Sequence, residues 1–278
     1  MAVHQPTRAI TYSTRMDLQL TGKAALITGS TAGIGYAIAA ALAREGASVI
    51  VNGRTQSAVD AARGKLAATA AGTVRGFAGD LSTDAAAQAV AREFPDIEIL
   101  VNNLGIFESK PFEEIPDADW RRLFEVNVLS GVRLARVYLA GMKRRNWGRI
   151  IFISSESAIQ IPVEMIHYGM TKMAQLAVAR GLAEAVAGTG ITVNSILPGP
   201  TRSRGVVDFV DALAKKDGLS SEQVERDFFK NTRPTSLIKR FATPEEVASL
   251  VAYVASPLAA ATTGAALRVD GGVVKSAI

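Results

Sequence analysis

The sequence contains no cysteine among its 278 residues. Disulfide bonds, thiolate nucleophiles and cysteine-ligated zinc sites are therefore excluded, and the absence suits a reducing compartment. Long apolar runs are missing too, since none reaches the roughly 20 residues that a membrane-spanning helix needs. The first residues also lack the apolar stretch of a secretory signal. These absences predict a cytoplasmic protein with no membrane partner.

Dense basic segments are also absent, although the net charge is +5 and the pI is about 9.6. The basic residues are scattered, and the small cluster Lys143, Arg144 and Arg145 is typical of the last turn of a helix. We therefore expect no nucleic-acid partner. The positive charge would instead help to attract anionic cofactors and substrates.

Hydrophobic residues are plentiful, at 48% of the chain, so a large core can form. Residues 1–15 are polar and aperiodic, and we expect them to form a flexible N-terminal extension. Residues 16–278 are predicted to form one domain, which suits their length. The stretch 202–240 is rich in charge and breaks the pattern, and it is predicted to be a mobile helical insertion that carries substrate specificity.

Short apolar runs alternate with helical patterns along the chain. Helices are predicted at Ile34–Glu45, Ser57–Ala70 and Tyr168–Val186, which are rich in good helix formers. The seven runs that predict strands are Ala24–Thr28, Ser48–Asn52, Thr73–Ala78, Ile97–Asn102, Arg149–Ser154, Thr192–Leu197 and Ala266–Val269. Such alternation predicts an α/β fold, a Rossmann-like doubly wound parallel sheet of seven strands with helices on both faces.

A glycine-rich segment follows the first predicted strand and opens a helix. Glycines allow a tight turn and a close approach of the backbone to a pyrophosphate, which the N-terminus of the helix then binds. The predicted cradle consists of Gly29, Ser30, Thr31, Gly33, Ile34 and Gly35. This context indicates a dinucleotide site.

The end of the second predicted strand bears on the choice of dinucleotide. Between Val49 and Thr55 there is no carboxylate to accept hydrogen bonds from the adenosine ribose. Arg54 can instead pair with a 2′-phosphate, and Thr55 can add a hydrogen bond. The segment favours NADP(H), with NAD(H) as the alternative.

Candidate catalytic side chains lie in three later segments. Tyr168 and Lys172 are four residues apart and share one helix face, where an ammonium would bring the phenol pKa toward neutral pH. Ser155 follows the fifth strand at the edge where open α/β sheets bind ligands, with Ser154 as a rival. Asn127 is polar within an apolar helical segment and needs partners if it is buried.

Together these motifs resemble the short-chain dehydrogenases/reductases, of the single-domain type that includes 3-oxoacyl-acyl-carrier-protein reductases. The resemblance runs from about Leu18 to Gly272. Its motifs, in order, are Thr28-Gly29 through Gly35, Asp80-Leu81, Asn102-Asn103-Leu104-Gly105, Asn127, Ser155, Tyr168 with Lys172, Pro198-Gly199-Pro200-Thr201, and Val269-Asp270-Gly271-Gly272.

The resemblance implies a role for each matching residue. Ser155, thirteen positions before Tyr168, would be the catalytic serine, and Tyr168 the general acid and base. Lys172 would lower the tyrosine pKa and bind the nicotinamide ribose, and Asn127 would hold a water in a proton relay. Cofactor contacts are implied for Asp80, Leu81, Asn103, Gly105, Pro198, Gly199 and Thr201. The resemblance also implies a homotetramer or homodimer.

Some positions depart from the family pattern. Ala32 stands where many NADP-selective relatives have a basic residue, and Leu104 replaces the usual alanine. Glu156, Glu164 and His167 lie near the catalytic pair in sequence, either shaping the substrate pocket or serving as surface or supporting groups.

The predicted function is reversible hydride transfer between a nicotinamide cofactor and a small-molecule carbonyl or alcohol, without a metal. An NADPH-dependent ketone reductase of the 3-oxoacyl type is the leading hypothesis. The alternatives are an NAD-dependent alcohol, polyol or sugar dehydrogenase and a cofactor-sensing protein without turnover.

Overall fold

The computed structural model describes residues 16–203, 206–207, 210–211, 214–215 and 218–277. The predicted flexible extension, residues 1–15, lies outside this range, as do several residues of the predicted insertion. Within the insertion, residues 206–207, 210–211 and 214–215 are helical, and a further helix follows at Ser221–Asp227. Its mobility stays a prediction.

One parallel sheet of seven strands organises the molecule, in the order β3-β2-β1-β4-β5-β6-β7. The strands are β1 Ala24–Ile27, β2 Ser48–Gly53, β3 Val74–Ala78, β4 Ile99–Asn102, β5 Gly148–Ile153, β6 Ile191–Pro198 and β7 Ala266–Val269. Every residue of β4, β5 and β6 is buried, because helices cover both faces of a parallel sheet. The predicted fold class is confirmed.

Three helices pack on each face of the sheet. The helices are α1 Gly33–Arg44, α2 Gln56–Ala67, α3 Asp84–Glu93, α4 Asp117–Phe124, α5 Ser130–Arg145, α6 Ile166–Ala185, α7 Ser221–Asp227 and α8 Pro244–Ala255. One hydrophobic core lies between the sheet and α1, α2 and α8, and includes Leu42 and Val251. The other lies under α3, α5 and α6, and includes Leu134 and Ala179. The strand order reverses between β1 and β4, which opens a crevice at their carboxyl ends.

The predicted insertion contributes a small core of its own. Helix α7 begins with a capping box at Ser220 and Gln223 and passes directly into a π-helical turn, Phe228–Thr232. Phe228, Phe229 and Phe241 pack ring against ring at 5.1–5.2 Å between centroids. This aromatic cluster holds the end of the insertion over the carboxyl edge of the sheet.

The predicted element boundaries differ from the observed ones by a few residues. Helix α6 begins at Ile166, before the predicted start at Tyr168, because a 3₁₀ turn at Val163–Met165 leads into it. Helix α5 ends at Arg145 with Asn146 in the left-handed conformation, so the basic cluster does occupy the last turn of a helix.

No helix in the described part of the chain is long and apolar enough to cross a membrane. Within the same residues, His, Asp and Glu side chains form no group of three or more that could hold a metal ion.

The central strand gives a test of the core. Leu100 is fully buried in β4, so Leu100→Ala should lower the free energy of unfolding by about 2–5 kcal/mol through lost burial and a new cavity. Urea denaturation at a fixed protein concentration measures this change. The matched control is Leu237→Ala at an 81% exposed position, where we expect less than about 0.5 kcal/mol. Equal losses in the two variants would contradict the assignment of the core.

Candidate active site

A cavity of about 840 Å³ opens at the carboxyl edge of the sheet. Its walls come from the start of α1, the segments after β4, β5 and β6, helix α6 and the insertion. Among its lining residues are the predicted Ile34, Asn103, Gly105, Ser155, Tyr168, Lys172, Pro198, Gly199 and Thr201. The structure thus brings side chains that are far apart in sequence to one site.

The glycine-rich segment forms a turn between β1 and α1. Gly29 and Gly33 both have φ of +58°, a conformation that side chains rarely adopt. The hydroxyl of Ser30 donates to the Ile27 carbonyl at 2.7 Å and accepts the Asn52 N–H at 2.9 Å, which ties the turn to β2. Helix α1 has no side-chain cap and no acidic residue in its first turn. An anion such as a pyrophosphate fits this helix end, because the first-turn N–H groups have no capping side chain.

Close packing beneath the turn explains its third glycine. A Cβ at Gly35 would lie 2.5 Å from both the Gly29 carbonyl oxygen and the Asn103 amide nitrogen. The Asn103 amide donates to the carbonyls of Thr28 and Gly29 at 2.9 and 3.1 Å. Asn103, predicted as a cofactor contact, therefore fixes the shape of the turn and also borders the cavity.

The adenosine end of the crevice lies beside β2. Arg54 is exposed directly after this strand, and no carboxylate pairs with it among the residues that the structure describes. Thr55 caps α2 by accepting the Ala58 N–H at 3.4 Å, so its hydroxyl is partly committed. The Asp80 carboxylate accepts from the N–H and the hydroxyl of Ser82, and the Leu81 side chain is buried in the core. Their cofactor contacts stay predictions.

The two candidate serines after β5 are distinguished by their hydrogen bonds. Ser154 donates to the Lys172 carbonyl at 2.9 Å and so anchors α6. Ser155 accepts the Ser157 N–H at 3.1 Å, donates to Glu156 Oε2 at 2.5 Å and lines the cavity together with Tyr168. The structure therefore favours Ser155 as the serine of the reactive pair.

The pKa of Tyr168 differs from the sequence-based expectation. Burial raises the tyrosine pKa most, the charge of Glu156 raises it further, and the hydrogen bond with Ser155 lowers it. The Lys172 ammonium lies 5.5 Å from the Tyr168 ring centroid and donates elsewhere, to the Ile153 carbonyl at 3.0 Å and to Gln175 Oε1 at 3.2 Å. The protein alone thus does not show the predicted lowering of the phenol pKa.

Burial also perturbs Lys172, which is 4% exposed. Desolvation of the ammonium lowers its pKa to about 8. Gln175, three residues further along the same helix face, accepts from Lys172 and donates to the Asn127 carbonyl at 2.7 Å. This glutamine therefore links the lysine to Asn127 through two hydrogen bonds.

Asn127 lies in a π-helical turn, Glu125–Leu129, between α4 and α5. Its amide oxygen accepts the Ile106 N–H at 2.8 Å, and its amide nitrogen donates to the Ile106 carbonyl and to Thr171 Oγ1, both at 2.9 Å. Asn127 therefore fastens the segment after β4 to α6. Such π-helical turns are frequent at functional sites. The water-holding role stays a prediction.

The three unassigned polar residues near the catalytic pair have different surroundings. Glu156 is 5% exposed and lies 3.5 Å from Arg233 Nε, while Glu164 lies 3.6 Å from Arg233 Nη1. Glu156, Glu164 and Arg233 all line the cavity. His167 instead packs against Trp120 with its ring centroid at 5.9 Å, and burial lowers its pKa.

Two residues of the site escaped the sequence analysis. Gln175 had a usable signal, because it lies three residues after Lys172 on the same face of the helix. Arg233 was included only among the charges of the insertion, because nothing in the sequence places its guanidinium between two carboxylates some 70 residues away.

Comparisons with known proteins identify the family of the chain. A sequence model of the family "short chain dehydrogenase" matches residues 23–213. The chain is 48% identical over 262 residues to the uncharacterized oxidoreductase YvaG of Bacillus subtilis, covering 94% of this chain and 99% of that protein. It is 35% identical to the D-beta-hydroxybutyrate dehydrogenase of Cupriavidus necator, covering 91% of this chain and 98% of that one.

A solved structure is similar over nearly the whole chain. The L-sorbose reductase from Gluconobacter frateurii, in complex with NADPH and L-sorbose, superimposes with a TM-score of 0.89 at 33% identity, covering 94% of this chain and all of that one. The fold and the site define a Rossmann-type nicotinamide-dependent oxidoreductase acting on CH–OH and carbonyl groups. The chain belongs to the short-chain dehydrogenase family.

The phosphate turn can be tested by filling it. Gly35→Ala adds a Cβ that meets backbone at 2.5 Å, so the turn must shift, and we expect nicotinamide dinucleotide affinity to fall at least about tenfold. Titration calorimetry with NADPH and NADH measures the affinity. The control is Gly64→Ala on exposed α2, where a Cβ meets no atom within 4 Å and affinity should be unchanged. Wild-type affinity in Gly35→Ala would refute the cradle.

Proposed function

We propose that the protein is an NADPH-dependent reductase that transfers hydride reversibly to the carbonyl carbon of a small-molecule ketone. One observation carries this proposal. Ser155, Tyr168 and Lys172 meet on the floor of a single cavity that extends to the uncapped start of α1. Hydroxyl donors and a dinucleotide cradle in one cavity are what carbonyl reduction requires.

The residues of the chain divide the work of the reaction. The bound dinucleotide would supply the hydride from its nicotinamide ring. Its phosphates would be held by Gly29, Ser30, Thr31, Gly33, Ile34 and Gly35. The part nearer the ring would be held by Lys172, Gly105 and residues 198–201. Ser155 and Tyr168 orient the substrate oxygen, and Tyr168 donates the proton that converts it to a hydroxyl. Asn127 keeps the wall after β4 in place. The insertion restricts the access of water.

The preference for NADPH rests on the end of β2. Arg54 is exposed and unpaired within the described part of the chain, next to Gly53, where an added Cβ would lie 2.5 Å from the Thr31 side chain of the phosphate turn. A guanidinium there suits a 2′-phosphate, and no carboxylate stands in Val49–Thr55 to select the unphosphorylated ribose. L-sorbose reductase, a similar structure, was solved with NADPH. Ala32 offers no second cation, so we retain NADH as the alternative.

The cavity walls support two substrate classes. Apolar side chains such as Phe107, Val210 and Phe228 would suit the acyl chain of a 3-oxoacyl substrate. The wall of Glu156, Glu164 and Arg233 favours the second class, a ketone with hydroxyl groups near the carbonyl, because carboxylates accept hydrogen bonds from hydroxyls. The sugar ketone in the similar L-sorbose reductase supports this second class.

Assembly and location complete the proposal. We propose a cytoplasmic homo-oligomer, a tetramer or dimer, as the family resemblance implies.

A spectrophotometric assay tests the function. Loss of reduced-nicotinamide absorbance is followed with NADPH and with NADH across 3-oxoacyl thioesters, keto sugars, small diketones, quinones and aromatic aldehydes. Turnover of at least one class is expected, and Tyr168→Phe should reduce it by about 10²–10⁴-fold while leaving cofactor affinity nearly intact, because only the proton donor is removed. Retained turnover in that variant would overturn the role of Tyr168. Binding of both cofactors without any turnover would favour the sensing alternative.

Cofactor choice is tested at Arg54. Arg54→Ala should weaken NADPH binding by about 10–100-fold and leave NADH binding within about twofold, because only NADPH carries the 2′-phosphate. Arg63→Ala on the exposed face of α2 is the matched control and should change neither affinity. Equal weakening of both cofactors by Arg54→Ala, or turnover with NADH alone, would reject the NADPH preference.

A further inference from the structure

A buried glutamine contacts two residues of the candidate site at once. Gln175 lies on α6 and is 1% exposed. Its Oε1 accepts a hydrogen bond from Lys172 Nζ at 3.2 Å, and its Nε2 donates to the Asn127 carbonyl at 2.7 Å. A buried amide is costly unless its polar atoms have partners. Both ends of this side chain have one, and both partners belong to the site.

The two partners fix the orientation of the amide. An ammonium carries only donors, so it needs the oxygen of Gln175, whereas a main-chain carbonyl carries only acceptor sites and needs the nitrogen. If the amide were turned over, its nitrogen would face Lys172 and its oxygen would face the Asn127 carbonyl. Both hydrogen bonds would then be lost, so Gln175 is held in one orientation.

The Lys172 ammonium uses two of its three N–H groups inside the protein. One donates to the Ile153 carbonyl at the end of β5 at 3.0 Å, and another donates to Gln175. The third remains for the cavity, which Lys172 and Gly105 both line. A Cβ at Gly105 would lie 3.4 Å from the Lys172 nitrogen, so the glycine leaves space beside the ammonium.

We propose that Gln175 is a positioning residue, which holds the Lys172 ammonium by one hydrogen bond and the Asn127 carbonyl by the other, so that the remaining N–H of the ammonium faces the cofactor. As a neutral acceptor, Gln175 stabilises the buried cation without cancelling its charge. The consequence for the cofactor rests on the proposed function, because there Lys172 holds the dinucleotide near its nicotinamide ring.

Other titratable groups lie farther from the ammonium. The Tyr168 ring centroid is 5.5 Å from Lys172 Nζ. Within the described part of the chain, no carboxylate forms a salt bridge with Lys172, and desolvation alone lowers its pKa to about 8. The further charged residues that line the cavity are Glu108, Glu156, Glu164, Asp227 and Arg233.

The test replaces Gln175 in the full chain and follows the ammonium itself. Gln175→Met keeps the length of the side chain and removes both hydrogen bonds, whereas Gln175→Glu keeps an oxygen acceptor and adds a negative charge. The titration of Lys172 is recorded by carbon-13 NMR of labelled lysine ε-carbons, and its signal is identified by its loss in Lys172→Met. We expect the midpoint to fall by about one pH unit in Gln175→Met and to rise by about one unit in Gln175→Glu, because the first loses an acceptor for the charged form and the second gains a counter-ion.

Cofactor affinity gives a second readout. Gln175→Met should weaken NADPH and NADH by the same factor, about tenfold, because the part of the dinucleotide near Lys172 is common to both. This pattern differs from that of Arg54→Ala, which should affect NADPH alone. Gln88→Met, the same change at an exposed position of α3, is the control and should alter neither the Lys172 titration nor either affinity.

Shifts of opposite sign in the two variants would support the role, because a change in packing alone does not reverse with the charge at position 175. An unmoved Lys172 titration in Gln175→Met, shifts of the same sign in both variants, or unchanged affinity for both cofactors in Gln175→Met would each refute it. Should Gln175→Met fail to fold, Gln175→Glu decides, and a midpoint that does not rise rejects the contact. The NMR titration needs neither substrate nor cofactor, so a failure of the proposed function leaves this result interpretable.

Discussion

Desolvation at the floor of the cavity is the constraint on which the site depends. Lys172 is nearly fully buried, and desolvation lowers its pKa to about 8. Its ammonium donates hydrogen bonds to the Ile153 carbonyl and to Gln175, which stabilise the buried charge. The same enclosure raises the pKa of Tyr168. Burial is thus the main cause of both pKa shifts.

The scaffold holds this enclosure together through polar side chains that join distant segments. Asn127, in its π turn, binds the segment after β4 and Thr171 of α6 at once. Ser154 ties the end of β5 to the same helix. Arg233 reaches from the insertion to two carboxylates on the opposite wall. Because each link crosses between elements, the geometry of the site follows from the parallel sheet and its carboxyl edge.

The fold was predictable because its signals are local. Continuous apolar runs mark β4 and β5, and the glycines after β1 mark the turn into α1. The candidate catalytic residues were predicted from motif order and spacing. What the sequence could not reveal are contacts made only in three dimensions. Ser155 donates to its own neighbour Glu156, and Gln175 joins Lys172 to Asn127. The tyrosine pKa is raised rather than lowered, chiefly because the phenol is buried. The flexibility of residues 1–15 stays a prediction.

The central claim is that this cavity aligns a nicotinamide with a carbonyl carbon above Ser155 and Tyr168. The most direct measurement uses NADPH deuterated at the transferring C4 position with a pool of keto sugars and 3-oxoacyl thioesters, followed by mass spectrometry of the alcohols formed. The account predicts one deuterium on the new carbinol carbon of a product. Alcohol formed without deuterium from the cofactor, or NADPH consumed without any alcohol, would contradict it.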